Sequence, residues 1–255
     1  MSKLVSNLIK KTKGIADTYD ALLADEENVL SHNKVTGYSL NFPIYNTCRP
    51  TKICSKTCYY AKGASSWDAA LKKQLRTMNS FTADPNKMAR KVIREYDSNG
   101  CTYLRWNGGG DLFAGAVKAI NYIIRVRPDI VLWIVTRRLD FASQILHDPN
   151  KHIHISLDRS SMMQYWKWLD MPKLSENYFF SYQMSKKEKV SKQALSMIDV
   201  LFYDDYIATR QFYKPSKDVM CALTEGRENG TIEGACSRCR KCFDSTQRRD
   251  RVNVS

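Results

Sequence analysis

The chain has 255 residues, a length that suits one α/β domain with a substantial hydrophobic core and a small appendage. Its 40 basic and 26 acidic residues give a net charge of +14, which favours polyanionic partners such as nucleic acid, although a surface charged for solubility would look the same. No apolar stretch is long enough to span a bilayer, and the start lacks the apolar run of a secretory signal, so we expect a cytoplasmic protein without a membrane partner.

The predicted elements begin after an N-terminal extension, residues 1–36, which carries no motif. Residues 37–210 repeat a strand–loop–helix unit six times. The strand-like runs are residues 38–44, 102–106, 130–135, 152–157, 178–182 and 200–203. This alternation predicts an α/β fold with a parallel sheet, open or curled into a partial (βα)6 TIM-like barrel. Residues 211–255 are predicted to form a small Cys-rich metal-binding segment with a basic tail.

Helical spacing of apolar residues predicts the connecting helices. They are expected at residues 67–81, 85–96 and 112–125, from the end of the third strand to about residue 146, and at 162–169 and 188–197. Asp84 is the predicted N-cap of the second helix, with Pro85 in its first position.

Three cysteines, Cys48, Cys54 and Cys58, lie within eleven residues between the first strand and the next helix. In a reducing compartment, clustered thiols bind metal more often than they form disulfides. A [4Fe–4S] cluster normally takes four cysteines, so three would leave one iron open for a further ligand. The alternative is a structural zinc site, completed by a ligand such as His32 or Cys101.

Polar and charged residues follow the other strands. Gly108, Gly109, Gly110 and Asp111 form a glycine turn that ends in a carboxylate. The later strand ends carry Arg137, Arg138, Asp158, Arg159, Gln183, Asp204 and Asp205. Because the carboxyl ends of parallel strands meet at one edge of a sheet, these residues and the three cysteines predict a reaction centre there. For the glycine turn alone, an ordinary turn with a helix-capping Asp is the favoured explanation, and beside the cysteine loop the two explanations are about equal.

A second cluster consists of Cys221, Cys236, Cys239 and Cys242. Two successive two-residue gaps resemble a ferredoxin ligand run, and four thiols make a closed set. The set suits a second [4Fe–4S] cluster or a zinc ion equally well. The arginines and lysine around it would offset the charge of a tetrathiolate site and could also contact a phosphate backbone.

The six strand–helix units, the three-cysteine loop and the glycine turn together resemble the radical S-adenosylmethionine superfamily. In that superfamily a half-barrel carries three cysteines after its first strand and a Gly-Gly-acid turn after its second. More closely, Asn-Thr-Cys…Cys…Cys-Tyr, Leu-Arg-Trp-Asn-Gly-Gly-Gly-Asp-Leu and the C-terminal cysteines resemble the phage "gene product 88" family over most of residues 37–243. The spacing departs from the superfamily, with five then three intervening residues instead of three then two. The acidic residue of the turn is Asp instead of the usual Glu.

The superfamily resemblance implies that Cys48, Cys54 and Cys58 hold three irons and that the fourth iron binds S-adenosylmethionine. Gly109, Gly110 and Asp111 would then receive the cofactor's methionine amino group. An aromatic residue beside the last cysteine is common in that superfamily, and Tyr59 occupies the position here.

The leading hypothesis is therefore a radical S-adenosylmethionine-like enzyme, encoded by a phage and acting in the host cytoplasm. The resemblance implies that an electron donor of the flavodoxin or ferredoxin type reduces the cluster, and that the resulting 5′-deoxyadenosyl radical abstracts hydrogen from a nucleic acid or nucleotide-like substrate. Candidate cofactor or substrate contacts are Arg137, Arg138 and Arg159. Candidate catalytic carboxylates are Asp111, Asp158 and Asp204.

Two alternatives remain open. One is base exchange by a zinc-bearing barrel resembling tRNA-guanine transglycosylases, in which Asp111, Asp158 or Asp204 would be the nucleophile. The other is a non-catalytic nucleic-acid-binding protein with structural metal, for which tight and salt-sensitive binding is expected.

Overall fold

The structure is a computed structural model of the whole chain. It describes residues 1–18, 22–162, 178–184, 188, 198–203, 236 and 242. The helices are α1 (Lys3–Ala16), α2 (Ile44–Thr47), α3 (Lys52–Thr57), α4 (Asp68–Ala83), α5 (Pro85–Ser98), α6 (Ala114–Val126) and α7 (Leu139–Ala142). The strands are β1 (Ser31–Asn33), β2 (Gly37–Asn41), β3 (Leu104–Gly109), β4 (Leu132–Thr136), β5 (Lys151–Asp158), β6 (Tyr178–Met184) and β7 (Val200–Tyr203). Two 3-10 turns, Tyr59–Ala61 and Gly63–Ser66, join α3 to α4.

One seven-stranded sheet organises the protein, with its strands in the order β1-β2-β3-β4-β5-β6-β7. The strands β2 to β7 pair in parallel, each with its neighbour in sequence, and β1 adds an antiparallel edge strand beside β2. All six predicted strands are therefore present and parallel. The sheet is open, with β1 and β7 at its two edges, so among the described residues it does not close into a barrel.

Alternating side chains give the sheet two different faces, as the two-residue period of a strand requires. Along β3, Leu104 and Trp106 point into the main hydrophobic core, and the intervening Arg105 does not belong to it. The main core also includes the buried apolar residues of α4, α5 and α6, so these helices cover this face. The opposite face is more polar and aromatic, with His154 of β5 stacked on Phe179 of β6 at 5.2 Å between ring centroids.

Local signals explain where the covering helices start. Asp84 caps α5 by accepting a hydrogen bond from the Lys87 N–H at 2.9 Å, and Pro85 occupies the first turn, which confirms the predicted cap. The helix predicted after β4 is shorter than expected, because α7 ends at Ala142 and the chain turns before Asp148 and Pro149. The helices predicted at 162–169 and 188–197 lie almost entirely outside the described residues.

The first 36 residues contain two elements that the sequence did not predict. The strand β1 extends the sheet through its pairing with β2. The helix α1 is amphipathic, and its buried Val5 and Leu8 pack with Ile44 and Leu71 in a second hydrophobic cluster. In the part of the chain that the structure describes, no helix has the length and apolar character needed to cross a membrane.

Candidate functional site

The first three cysteines lie on a segment of two short helices that follows β2. Cys48 ends α2, Cys54 lies within α3, and Cys58 ends α3. Cys48 and Cys58 pack against the hydrophobic cluster formed with α1, so the N-terminal helix lies behind the cysteine segment. The six described cysteines form no disulfide.

Three threonines of the cysteine segment bind residues at the carboxyl ends of three strands. Thr47 Oγ1 accepts from the Asp111 N–H, just beyond β3, at 2.9 Å. Thr51 Oγ1 donates to Asp158 at the end of β5. Thr57 Oγ1 accepts from the side-chain amide of Gln183 near the end of β6. The segment is therefore fixed over the carboxyl edge of the sheet, where the strand order predicts a ligand site.

The thiols lie close enough to one another to interact electrostatically. Burial raises the pKa of Cys48 well above its ordinary value, and the neighbouring charges of Asp111, Cys54 and Cys58 act in the same direction. Burial also raises the pKa of Cys54, although the nearby Arg137 opposes the effect. Both thiols are protonated at neutral pH without metal, so metal binding at this segment would have to displace protons.

The three cysteine thiols fit an iron–sulfur cluster in their chemistry and in their position on the fold. Thiolates are the ligands of iron–sulfur clusters, and the three here share one segment at the edge where the strands end. Among the described residues, no group of three or more His, Cys, Asp or Glu side chains is arranged to hold a metal ion. The thiols are therefore neighbours without forming the tight ligand group of a single ion.

A buried amide oxygen without a partner lies beside the glycine turn. Asn107 is 3% exposed, its side-chain nitrogen donates to the Val135 carbonyl at 2.9 Å, and its Oδ1 accepts no hydrogen bond from the described residues. Its φ of 62° is in the left-handed region, which is uncommon for a side chain other than glycine. Unpaired buried acceptors and strained backbone both occur preferentially at functional sites. Asn107 is thus an available acceptor for a donor group of a ligand.

The glycines of the turn are required by contacts within the protein. A Cβ on Gly109 would overlap the ring of Tyr60, and a Cβ on Gly110, whose φ is 77°, would lie 2.6 Å from the Phe42 carbonyl oxygen. The backbone of the turn is also anchored, because the Phe42 N–H donates to the Gly109 carbonyl at 2.9 Å. Packing alone therefore accounts for these glycines, and the predicted cofactor contact would have to use their backbone atoms.

Tyr59 joins the cysteine segment to β3. Its hydroxyl donates to the Gly108 carbonyl at 2.6 Å and accepts from Arg105 at 2.9 Å, while the residue as a whole is 60% exposed. Tyr59, the residue predicted to lie beside the cofactor, is therefore bound directly to β3, the second of the six predicted strands.

Asp111 connects the glycine turn to β4. Its carboxylate accepts hydrogen bonds from the Thr136 hydroxyl at 2.5 Å and from the backbone N–H groups of Leu112 and Arg137. Burial raises the pKa of Asp111 to about 6, although these hydrogen bonds act in the opposite direction. Asp111 is consequently a positioned carboxylate that changes its charge just below neutral pH.

Asp158 is fully buried at the end of β5 and forms an ion pair with Arg137 at 2.9 Å. Ser160 donates to Asp158 Oδ1 through both its N–H and its hydroxyl. Burial alone would raise the pKa of Asp158, but the hydrogen bonds from Ser160 and Thr51 and the charge of Arg137 hold it below its ordinary value. Asp158 therefore stays ionised and fixes Arg137 beside Cys54.

The other predicted arginines differ in their surroundings. Arg138 is buried and forms a forked pair with Asp140, with nitrogen–oxygen distances of 2.9 and 2.6 Å. Arg159 is exposed at the edge of the sheet. Asp204 and Asp205 lie outside the described residues, so their predicted place at this edge stays a prediction.

Of the second cysteine cluster, only Cys236 and Cys242 are among the described residues, and Cys221 and Cys239 are not. Cys236 and Cys242 both pack against Trp133 and Tyr103, on the face of the sheet opposite the main core. The guanidinium of Arg105 lies 4.8 Å from the Trp133 ring centroid. The two predicted ligands thus pack against the same small cluster, and both are close enough to Arg105 to interact with its charge.

Several residues of this site escaped the sequence analysis. Thr51 and Thr57 carry no motif, because single hydroxyls occur throughout the chain. Thr47 and Asn107 lie within the family motifs, but the sequence analysis did not single them out as site residues. The Thr51 hydroxyl also caps α3 by accepting from the Cys54 N–H at 3.0 Å, and a Thr three residues before a helical position is the one signal that could have singled it out.

The comparisons with known proteins identify one family. A family model described as Gene product 88 matches residues 7–245, which is nearly the whole chain. No significant match was found among curated proteins. No solved structure matches significantly either.

The glycine turn generates a first prediction. We expect Gly110→Ala to lower the free energy of unfolding by at least about 3 kcal/mol, since it combines a positive φ with overlap on the Phe42 backbone. Gly100→Ala is the matched control, because Gly100 also has a positive φ, 60°, but has open space around it, and should cost about 1 kcal/mol. Urea unfolding measures both, and equal losses would contradict the packing explanation.

The second prediction concerns pH and Asp111. Because its folded-state pKa is raised to about 6, its contribution to stability is complete below pH of about 4 and is lost as pH rises through about 6. The loss is on the order of 3 kcal/mol, about two pKa units. Urea unfolding of the wild type and of Asp111→Asn should show this fall in the wild type only. Parallel pH profiles for the two proteins would show that Asp111 does not titrate in this range.

Proposed function

For this chain, which belongs to the Gene product 88 family, we propose an iron–sulfur enzyme with chemistry of the radical S-adenosylmethionine type. The proposed cofactors are a [4Fe–4S] cluster on Cys48, Cys54 and Cys58 and S-adenosylmethionine beside it. The C-terminal cysteines would hold a second cluster or a zinc ion.

The fold supports the proposal through its strand order. Six parallel strands in sequential order are what a partial (βα)6 barrel requires, and we propose that the sheet of β2 to β7 is such a partial barrel. The polar face of that sheet, opposite the main core, would then be its inner surface.

The observation that carries the proposal is the attachment of the cysteine segment to the strand ends. Thr47, Thr51 and Thr57 bind the carboxyl edge of the sheet at β3, β5 and β6. These contacts bring the thiols together with Asp111 and Arg137, which follow the carboxyl ends of β3 and β4. A segment needed only for packing would not require three polar attachments to the edge where α/β proteins bind their ligands.

Each residue has a specific task in this proposal. The three thiols bind metal and leave one coordination position for the cofactor. Asn107 Oδ1 and the backbone of the glycine turn are the acceptors available for an amino group, and Arg137 is the fixed cation for a carboxylate or phosphate. When bound and reduced by a flavodoxin- or ferredoxin-type donor, the cluster would supply the electron that cleaves S-adenosylmethionine.

Base exchange with Asp111 or Asp158 as the nucleophile has less support, and the third candidate, Asp204, lies outside the described residues. A nucleophilic carboxylate needs a free oxygen near the substrate. Both oxygens of Asp158 accept hydrogen bonds, and both oxygens of Asp111 accept hydrogen bonds from Thr136 or backbone N–H groups. These two carboxylates position other groups.

The third prediction tests the cofactors on protein purified and reconstituted without oxygen. We expect about eight irons per chain, or about four if the C-terminal site holds zinc, and a reduced-state EPR spectrum that changes on addition of S-adenosylmethionine. Cys54→Ser should remove about four irons and abolish the spectral change, because it deletes one of the three proposed ligands.

Cys101→Ser is the matched control, since Cys101 packs against the main core, and it should keep both the iron and the response. Stoichiometric zinc without iron would contradict the proposal. Iron without any response to S-adenosylmethionine would leave a cluster protein of another kind.

A further inference from the structure

A pocket of about 480 Å³ opens beside the cysteine segment, between that segment, the start of α7 and the loop after β5. Its volume is within the range typical of small-molecule sites. Its walls include Arg49, Thr51, Arg137, Arg138, Leu139 and Leu157. None of the expectations from the sequence included Arg49 or this cavity.

The walls carry more positive than negative charge. Three arginines line the pocket against one carboxylate, that of Asp140, which is held by Arg138. Arg137 is fixed by its ion pair with the buried Asp158, which does not itself line the pocket. Two guanidinium groups are therefore held in place before any ligand arrives, which reduces the entropy lost on binding.

Arg49 is the third guanidinium and differs from the other two. It is exposed at the rim and makes no hydrogen bond or ion pair at contact distance with any described residue. Its charge contributes to the lowered pKa of Asp140, but less than the hydrogen bond and the charge of Arg138 do. Arg49 lies between two candidate metal ligands, Cys48 and Cys54, in the sequence. Its free guanidinium is available to bind an anion through two parallel hydrogen bonds.

We propose that this pocket binds the phosphate group of a nucleotide-sized ligand, with Arg49 closing on the phosphate. The apolar side chains of Leu139 and Leu157 would contact the sugar or base, since they form the uncharged part of the wall. The volume accommodates one nucleotide and not a duplex. That this ligand is the substrate rests on the function proposed above, because Arg137 lies beside Cys54 and would bring the ligand next to the cluster.

The test measures binding to the full-length protein, purified and reconstituted without oxygen, by isothermal titration calorimetry at low ionic strength, with inorganic phosphate, AMP and adenosine as probes. We expect AMP to bind more tightly than phosphate, and adenosine to bind much more weakly than AMP. Arg49→Gln should weaken AMP binding by about 10- to 100-fold, the effect of losing a hydrogen bond to a charged group.

Lys56→Gln is the matched control, because Lys56 is an exposed cation of the same segment that does not line the pocket. It should leave AMP affinity within about twofold, since a distant exposed charge is largely screened. Thermal melting checks that both variants remain folded, as expected for exposed side chains.

Equal losses in the two variants, or equal affinity for AMP and adenosine, would overturn the proposal. Tight binding of a single-stranded oligonucleotide without binding of AMP would also overturn it, in favour of an open nucleic-acid surface. Binding of AMP by protein that shows no iron would leave the pocket in place and remove only its role beside a cluster. An EPR response to S-adenosylmethionine without AMP binding would overturn the phosphate pocket and leave the proposed cluster chemistry in place.

Discussion

The structure depends on the attachment of one short segment to the carboxyl edge of a parallel sheet. The segment runs from Ile44 to Cys58, and its threonine hydroxyls bind a backbone N–H after β3, a buried carboxylate at the end of β5 and a side-chain amide of β6. A segment with two helices of four and six residues has little stability of its own, because short helices rarely persist without tertiary contacts. These hydrogen bonds and the packing against α1 therefore decide where the three thiols lie.

The same attachment organises the charges. Asp111 and Asp158 are both buried, but their environments shift their pKa values in opposite directions. Asp158 has Arg137 as an ion-pair partner, and a buried carboxylate with a cation and several donors stays ionised. Asp111 has only neutral donors in direct contact, so the cost of burying its charge prevails. The edge of the sheet thus combines one permanent anion with one carboxylate that titrates below neutral pH.

The glycine turn shows how one motif can have two explanations. Gly109 and Gly110 make room for Tyr60 and for the backbone of Phe42, so the absence of side chains there follows from packing. Asn107, directly before the turn, keeps an unpaired buried oxygen in a strained backbone, and packing does not explain that. The residue beside the glycines, more than the glycines themselves, therefore supports ligand binding at this edge.

The sequence by itself determined the six parallel strands, the place of the cysteine segment after the first of them and the cap at Asp84. These features follow from the period of apolar residues and from local capping, which act over a few neighbouring positions. It did not determine β1 or the packing of α1, because both depend on partners distant in the chain. Only the tertiary structure decided which of many threonines bind the strand ends and that Arg49 faces a pocket, since such contacts join residues on separate loops that no local pattern connects.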